Sequence, residues 1–387
     1  MTGQTYLFEE EAGIGPGDIH PRLWAGSFNG RESSLHQLSP YVGKLKSGMV
    51  RVLLQVYSSR GDWVLDPFCG SGVVPFESLL LGRCALANDL NRYAYVLTMG
   101  KLTAPFRLSD ALARANRVIE YVERTRDTAP ADMVPEFVSS FFHPKTLREV
   151  IRAFEYVRKH RDYFTCACLL GILHHVRPGF LSYPASHLTP YLRKAKYPPS
   201  VYPEMYSYRE LKPRLLAKVR RMYRRPGILH RWRRNDYRVF CKNAMELPVA
   251  KDSVDLILSS PPYFGALDYA RDNRLRLWFL GVKDWRALDR RLTASVKVYI
   301  PQMSRCIAEM YRVLRMGRYC ILILGDVERS GKRYKTAEMI RDLAAEVTEG
   351  GFEFETMIVD QIPDERRSRR KTRTTKVEKG LVLKKSR

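Results

Sequence analysis

The stretch Asp66-Pro67-Phe68-Cys69-Gly70-Ser71-Gly72 decides the fold, because predicted elements meet on either side of it. The apolar run Trp63-Val64-Leu65 precedes it and predicts a short buried strand, whereas residues 73–81 show helical periodicity. Residues 84–87 then predict a second strand, which ends at Asn88-Asp89. Strand, glycine turn, helix and a strand with an acid at its end are typical of the first half of a nucleotide-binding, doubly wound α/β sheet.

The glycine turn is suited to holding a ligand. Glycine lets the backbone approach a bound group, and the following helix offers free N–H groups and the positive end of its dipole to an anion. No Lys-Ser/Thr pair follows Gly72, which excludes a phosphate-binding P-loop. Asp89 lies 17 residues beyond Gly72, where an acid accepts ribose hydroxyls. For this motif alone, a plain turn between a strand and a helix stays the alternative.

A second motif, Ser260-Pro261-Pro262-Tyr263, follows the apolar run of residues 254–258. Its prolines remove two N–H donors and stiffen the backbone, which leaves carbonyl oxygens fixed as acceptors. A hydroxyl, a rigid carbonyl and a stacking ring together suit an exocyclic amine on a flat heterocycle. A proline-terminated strand followed by a core tyrosine is the alternative interpretation.

The rest of the chain divides into a part that suits a sheet and a part that does not. The first part predicts helices at 40–58, 296–314 and 336–348 and strands at 319–326, 352–360 and 377–383. The second part predicts helices at 111–126, 145–160 and 162–175, a Pro- and Tyr-rich loop at 179–208 and a basic segment at 212–234. We interpret this second part as an inserted or substrate-facing subdomain.

The charge of the chain indicates a polyanionic partner, since 66 Lys+Arg against 41 Asp+Glu give a net charge of +25. A hydrophobic content of 45% excludes a disordered basic tail, and 387 residues suit two domains or one enlarged by an insertion. The seven cysteines include no CxxC pair, so neither a disulfide framework nor a zinc ribbon is indicated. His174-His175 lack partners at metal spacing and are interpreted as structural, so no metal site is predicted.

The sequence shows neither a signal peptide nor an apolar run of 18 residues. We therefore expect a soluble, cytoplasmic protein associated with the nucleoid.

Taken together and in their order, the two motifs resemble those of the amino-group DNA methyltransferases, which use S-adenosyl-L-methionine. D-P-F-C-G-S-G is similar to the cofactor motif of that family and S-P-P-Y to its catalytic motif, and the resemblance extends over about 39–100 and 240–387. It implies a doubly wound, seven-stranded mixed sheet of the Rossmann-like methyltransferase type, with a reversed last strand and an inserted, mostly helical and loop-rich subdomain. The implied parts are an N-terminal extension (1–38), a cofactor-binding part (39–107), a target-recognition insertion (108–235) and a catalytic part (236–387).

The resemblance also implies roles for single residues in binding the cofactor. Asp66 anchors the methionine end and Asp89 holds the ribose hydroxyls. Asn243 stands where the family usually has an Asp that reads the adenine amine, and its side-chain oxygen is expected to accept the same hydrogen bond. The other residues expected at the cofactor are Tyr41, Phe68, Gly70 and Gly72.

In the implied mechanism, the target amine donates hydrogen bonds to Ser260 and to the Pro261 carbonyl, Pro262 stiffens the turn, and Tyr263 stacks on the base. The base is flipped out of the duplex, because a stacked base does not reach such a pocket. No Pro-Cys dipeptide occurs in the chain, which argues against a carbon-5 cytosine enzyme.

In the family that the chain resembles, a serine as first catalytic residue is commoner in enzymes that make N4-methylcytosine, so Ser260 favours that product. The resemblance further implies double-stranded DNA as substrate, in a restriction-modification or phage setting with a possible cognate endonuclease. The alternatives are an N6-adenine enzyme, an RNA amino-methyltransferase and an inactive DNA-binding module.

Three basic regions are candidates for holding the nucleic acid. The arginines expected to meet phosphate are Arg220, Arg221, Arg224, Arg225, Arg231, Arg233 and Arg234. In the Tyr-rich loop, the candidates for phosphate and base contacts are Tyr183, Tyr191, Tyr197, Tyr202, Tyr206 and Tyr208 with Arg193, Lys194, Lys196 and Arg209, unless this loop simply packs on the domain. The basic loop at 366–373 is a further candidate.

Overall fold

A seven-stranded sheet forms the centre of the protein, with strands in the order β3-β2-β1-β4-β5-β9-β8. The computed structural model describes residues 15–24, 32–125, 134–187, 189–225, 236–262, 269–292, 296–329, 332–361 and 377–387. The strands are β1 (Trp63–Asp66), β2 (Cys84–Asn88), β3 (Tyr237–Phe240), β4 (Val254–Ser259), β5 (Leu314–Gly325), β6 (Val327–Arg329), β7 (Lys332–Tyr334), β8 (Phe352–Gln361) and β9 (Val377–Lys385). Strands β6 and β7 form a separate antiparallel hairpin.

The described helices are α1 (Ser47–Tyr57), α2 (Val73–Leu80), α3 (Arg92–Leu102), α4 (Leu108–Arg124), α5 (Glu136–Ser139), α6 (Pro144–Lys159), α7 (Tyr163–Ile172), α8 (Leu211–Met222), α9 (Tyr269–Asp272), α10 (Arg274–Phe279), α11 (Trp285–Leu292), α12 (Val296–Val313) and α13 (Thr336–Val347). Among these described helices, none combines the length and apolar character needed to cross a bilayer.

Alternate side chains of the central strands are buried on opposite faces of the sheet. Val64, Leu256 and Leu258 pack with α1 and α2 on one face. Leu65 and Ile257 pack with α12 and α13 on the other face. Because helices cover both faces, these strands are mostly apolar, which is the pattern that made them recognisable in the sequence.

The direction of the strands confirms the doubly wound, Rossmann-like sheet. Strands β1 to β5 pair in parallel, whereas β9 is antiparallel to both of its neighbours, β5 and β8. The predicted reversed last strand is therefore confirmed.

Strand β5 begins earlier than predicted. The sequence suggests a break at Gly317 and a strand from 319, but the strand starts at Leu314 and continues through Gly317. Gly317 has φ +75°, and the pairing shifts register between Val254 and Leu256. Glycine allows the positive φ that this bulge requires, so the chain bends there without ending the strand.

The inserted segment contributes helices but no strand to the main sheet within the described residues. Its helices α4, α6, α7 and α8 share one hydrophobic cluster with α2 and α3. The predicted helices of this part are confirmed within a few residues. The Pro- and Tyr-rich stretch forms turns, one short 3-10 helix and an isolated bridge between Ala185 and Leu192.

The described part of the N-terminal extension packs into the same domain. The Trp24 indole Nε1 donates to Asp360 Oδ2 of β8 at 2.8 Å, and the Trp24 ring lies with α1 in the core. Leu35 and Leu38 are fully buried against the helices of the insertion. These residues therefore belong to the core.

We predict that Gly171→Ala destabilises the fold by about 3 kcal/mol, because overpacking a close contact costs that order of free energy. Gly171 lies in α7, where an added Cβ would be 2.0 Å from the backbone oxygen of Leu38. Urea unfolding followed by circular dichroism measures the change. Gly179→Ala is the matched control, since nothing lies within 4 Å of its added Cβ, and equal stability of the two variants would contradict the prediction.

Candidate active site

A cavity of about 300 Å³ opens at the carboxyl ends of β1, β2 and β4. This is the edge at which doubly wound sheets bind ligands. The structure brings most of the predicted site residues together here. Those that line the cavity are Tyr41, Asp66, Phe68, Gly70, Asp89, Asn243, Ser260 and Pro262.

Asp66 joins the two sequence motifs. Its Oδ1 accepts a hydrogen bond from Ser259 Oγ at 2.6 Å and another from the Phe68 backbone N–H at 3.2 Å. Ser259 directly precedes the Ser-Pro-Pro turn, so the glycine turn and the second motif are fixed to each other. Burial raises the pKa of Asp66 to about 7, although the hydrogen bonds from Ser259 and Phe68 oppose this shift.

Asp89 shapes the glycine turn from the end of β2. Its Oδ2 accepts a hydrogen bond from the Gly70 N–H at 2.9 Å, and its Oδ1 accepts one from the Asn91 N–H at 2.8 Å. Burial raises the pKa of Asp89 to about 6, against the effect of these two hydrogen bonds. The carboxylate therefore holds the turn and also lines the cavity.

The two glycines of the turn have different tasks. Gly70 has φ +48°, and an added Cβ would be 3.0 Å from the Tyr41 ring at the cavity wall. Gly72 was expected to line the pocket, but among the described residues it is not part of the cavity wall. An added Cβ there would lie 2.6 Å from Thr98 Oγ1, so Gly72 allows α2 and α3 to pack closely.

Residues 40–46, predicted as the start of a helix, form a loop beside the cavity, and α1 begins only at Ser47. Gly43 has φ +77°, which a helix does not accommodate. The Tyr93 hydroxyl of α3 holds this loop by hydrogen bonds to Ser39 Oγ at 2.7 Å and to the Pro40 carbonyl at 2.6 Å. The Tyr41 ring packs on the Tyr93 ring at a centroid distance of 5.8 Å.

A buried charged cluster supports the same loop from behind. Lys44 Nζ donates to the His36 carbonyl at 3.3 Å, and His36 Nε2 is 2.6 Å from Glu77 Oε1. Arg51 Nε donates to Glu77 Oε2 at 2.6 Å, and Lys101 Nζ is 3.3 Å from His36 Nδ1. Burial opposes ionisation of Glu77, but the hydrogen bond from His36 and the charge of Arg51 keep its pKa below the ordinary value.

Two buried polar atoms of cavity residues have no partner in the described part of the chain. They are Ser71 Oγ, in the glycine turn, and Asn91 Nδ2, at the start of α3. Buried polar groups normally make hydrogen bonds, and leaving one unpaired costs about 1–3 kcal/mol. Both side chains border a cavity, so these atoms are suited to a ligand that supplies the missing partners.

Asn243 lies at the end of β3, where it lines the cavity beside Met245. Its Oδ1 accepts a hydrogen bond from the Met245 N–H at 3.1 Å, so one lone pair of this oxygen is used within the turn. The second lone pair of this oxygen can accept a hydrogen bond from a ligand.

The predicted catalytic motif is described as far as Pro262. Ser260 and Pro262 are half-buried at the cavity, Pro261 is buried, and Tyr263 lies outside the described residues. The sequence did not identify Ser259 or the wall formed by α12, which supplies Tyr299, Gln302, Met303 and Cys306. The amphipathic pattern of α12 predicted a helix but not which of its residues face the cavity.

The predicted DNA-binding arginines are only partly described. Arg220, Arg224 and Arg225 are exposed, and Arg221 is half-buried. Arg231, Arg233, Arg234 and the basic loop at 366–373 lie outside the described residues.

The structure corrects one proposed nucleic-acid contact in the Tyr-rich loop. Arg209 is buried, and its guanidinium donates to the carbonyls of Phe180, Ser182 and Met205, so its expected contact with phosphate is wrong. The Tyr206 hydroxyl donates to the Tyr197 carbonyl, and that of Tyr208 bonds Glu149. For these residues the packed-loop alternative holds.

The pair His174-His175 takes part in packing. His174 is buried with its Nδ1 2.6 Å from the Ser186 carbonyl, and the His175 ring lies 4.8 Å from that of Phe180.

The fold and the site together define a Rossmann-like α/β protein with a ligand pocket at the carboxyl edge of its sheet. Within this class, the family model for DNA methylases of the N6 and N4 type matches residues 22–99. The Type II methyltransferase M.MthZI of Methanothermobacter thermautotrophicus is 32% identical over 72 residues, which are 18% of this chain and 20% of that protein. The resemblance to the amino-group DNA methyltransferases is thereby confirmed for the segment that contains the glycine turn.

Solved structures show weaker similarity. A proposed DNA modification methylase from Thermus thermophilus, complexed with S-adenosyl-L-methionine, is 21% identical with a TM-score of 0.24 and covers 38% of this chain and 51% of that one. TrmN from Thermus thermophilus is 12% identical with a TM-score of 0.34 and covers 91% of this chain and 52% of that one. At these TM-scores the fold assignment depends on the strand order alone.

We predict that Asp66→Asn removes a decline in stability with rising pH. The ordinary pKa of 3.8 is raised to about 7 in the folded protein, so the folded state binds the proton more tightly than the unfolded state does. The contribution of Asp66 therefore becomes less favourable between about pH 4 and pH 7 and is constant above. Urea unfolding at about pH 5 and about pH 8 measures the difference between variant and wild type, and a difference that does not change with pH would contradict this assignment.

Proposed function

We propose that the protein is an S-adenosylmethionine-dependent DNA methyltransferase that modifies the exocyclic N4 amine of a flipped-out cytosine. One observation carries this proposal: the Ser259 to Asp66 hydrogen bond places the glycine turn and the Ser-Pro-Pro turn at one cavity. The family model that matches residues 22–99 supports the part of the proposal that concerns the cofactor. The chemistry of the Ser-Pro-Pro turn supports the part that concerns the substrate.

The residues around the cavity fit S-adenosylmethionine. Ser71 Oγ and Asn91 Nδ2 are buried polar atoms without a hydrogen-bond partner among the described residues, so a ligand can bond them. Asp66 and Asp89 offer carboxylates to an ammonium group and to ribose hydroxyls. The apolar walls are suited to an adenine ring and come from Phe68, Leu90, Met245 and Met303. The cofactor supplies a methyl group that is already activated on its sulfonium.

The task of the protein is then to hold and orient an amine. Ser260 Oγ and the Pro261 carbonyl accept hydrogen bonds from the amine, which keeps its nitrogen lone pair directed at the methyl group. The lone pair of an exocyclic amine is delocalised into the ring of the base. Holding the amine in this orientation is therefore the main contribution of the protein to methyl transfer. Tyr263, next in sequence, is the ring proposed to stack on the base.

The target base has to leave the duplex before it reaches this cavity. Extrusion of a base costs about a few kcal/mol and is the general solution for enzymes that modify bases. We place the protein in a restriction-modification or phage setting, with a cognate endonuclease as possible partner.

We predict that Ser260→Ala lowers kcat by roughly 100-fold, as expected when one hydrogen bond to the reacting group is lost. The dissociation constant for S-adenosylmethionine should change by less than about twofold. Radioactive methyl transfer to duplex DNA measures the rate, and Ser109→Ala on the exposed start of α4 is the control.

Mass spectrometry of digested DNA identifies the product of the wild-type enzyme. N4-methylcytosine is the expected nucleoside. N6-methyladenine alone would overturn the base assignment but keep the enzyme class, and methylation of RNA alone would overturn the DNA substrate.

We predict that Ser71→Ala weakens S-adenosylmethionine binding about five- to tenfold, because a hydrogen bond contributes about 1 kcal/mol. The folded protein should lose no stability, since Ser71 Oγ has no partner in the described part of the chain. Isothermal titration calorimetry measures the affinity. Ser78→Ala is the matched control, because Ser78 is buried in the following helix and already bonds the Val74 carbonyl. Equal cofactor affinity of both variants would contradict the role of Ser71.

A further inference from the structure

A row of exposed and half-buried arginines, with two histidines among them, lies on the insertion. We define the basic stripe as Arg193, Arg177, Arg221 and Arg224, together with His175 and His187 between the first two. The His175 and His187 rings are 5.0 Å apart. Of these residues, His175, Arg177 and His187 were not among the nucleic-acid contacts expected from the sequence.

Contacts in the fold bring the two ends of the stripe together. Arg214 Nε of α8 donates to the Pro178 carbonyl at 3.3 Å, so the turn that carries Arg177 lies against the helix that carries Arg221. His175, two residues before Arg177, contacts the His187 ring of the loop that leads to Arg193. Burial lowers the pKa of Arg221, and the charges of Arg224 and Arg177 accordingly add to this effect, against an opposing effect of Cys168.

The stripe lacks the carboxylates that usually accompany surface arginines. Within the described ranges, no Asp or Glu lies within ion-pair distance of the four stripe arginines. The charges of Arg177 and Arg224 act on the Arg221 guanidinium, so like charges repel each other in this part of the stripe. An anionic partner would remove this repulsion, and phosphates suit the forked geometry of arginine.

Three hydrogen bonds tie the loop that carries the stripe to the helices after the catalytic turn. Arg276 Nη2 donates to the His187 carbonyl at 3.0 Å, and Arg274 Nη2 donates to the Pro190 carbonyl at 2.5 Å. The Thr189 hydroxyl donates to Asp272 Oδ1 at 3.0 Å. The loop therefore has a fixed position relative to α9 and α10.

Arg276 also connects the stripe to the cavity. It is buried, and its guanidinium lies 5.5 Å from the centre of the Tyr93 ring. Tyr93 in turn holds the cavity loop through Ser39 and Pro40. The side chains of Arg276 and Tyr93 thus bridge the stripe loop and the loop beside the cavity.

We propose that the basic stripe binds the sugar-phosphate backbone of the duplex whose base enters the cavity. This inference rests on the proposed function and adds to it the surface that holds the substrate. Arg276 is a positioning residue in this arrangement, since it fixes the stripe loop without contacting the DNA.

The test removes two charges at one end of the stripe with Arg177→Gln/Arg193→Gln. Binding of a fluorescent duplex of about 20 base pairs is measured by anisotropy at several salt concentrations. Each lost phosphate contact lowers the slope of log K against log salt by about 0.9, so the slope should fall by about 2. Affinity at low salt should fall by at least about tenfold, with unchanged S-adenosylmethionine affinity.

Two further variants make the result specific. Arg221→Gln/Arg224→Gln, at the other end of the stripe, should reduce the slope similarly. Arg341→Gln/Lys251→Gln removes the same charge from surface positions outside the stripe and should leave the slope unchanged. An equal loss of slope in this control would show a general charge effect and overturn the proposal.

The remaining outcomes separate this inference from the proposed function. Unchanged DNA affinity and slope in both stripe variants would overturn the stripe, while wild-type methylation would keep the proposed function. A wild-type protein that binds and methylates no DNA would overturn both. Binding of transfer RNA in preference to the duplex, lost in the same variants, would overturn DNA as the partner of the stripe.

Discussion

The hydrogen bond between Ser259 Oγ and Asp66 is the contact on which the rest of the site depends. It joins the carboxyl ends of β1 and β4, two neighbouring parallel strands, through residues that lie 193 positions apart in sequence. Water does not compete for this bond because both residues are almost fully buried. Since Ser259 is followed directly by Ser260 and Pro261, the same bond fixes the Ser-Pro-Pro turn, which is the proposed site of the target amine, relative to the glycine turn. A change in the packing of either strand would therefore disturb both halves of the site.

Burial has two effects on the carboxyl groups of this site. It makes their hydrogen bonds to backbone N–H groups and to Ser259 strong, and it raises the pKa of both Asp66 and Asp89. A positively charged or hydrogen-donating ligand would reverse the second effect, because it stabilises the ionised form. Among the described residues, Ser71 Oγ likewise has no hydrogen-bond partner. In contrast, Gly72 packs closely against Thr98 and is not among the described residues that line the cavity. Ser71, Asp66 and Asp89 thus border the cavity, whereas Gly72 supports the packing of α2 against α3.

The sequence predicted those features that depend on local pattern. Strands β1, β2 and β4 are short apolar runs with a turn signal behind them, and both motifs stand at strand ends, so their meeting at one edge followed from parallel topology. Strand β3 has only four residues at the edge of the sheet and none is fully buried, so no apolar run marks it. The role of Gly72 depends on the position of Thr98, a contact between two helices that no local pattern encodes. Arg209 shows the same limit. The basic composition of the surrounding loop suggested a phosphate contact, whereas the Arg209 guanidinium donates to three carbonyls that the fold brings together.

Besides the shared hydrophobic cluster, a buried cation connects the insertion to the helices beside the sheet. Arg276 donates to the carbonyls of Leu170 and His187 and to Asn273 Oδ1, and it packs over the Tyr93 ring. A buried guanidinium is costly to desolvate, so a position with several acceptors and an aromatic face fixes it strongly. Its neighbours belong to α7, to the stripe loop, to the start of α10 and to α3. The cavity loop is hydrogen-bonded to Tyr93 and the stripe loop to Arg276. The contact between Arg276 and the Tyr93 ring therefore connects the surface suited to a polyanion with the loop beside the cavity.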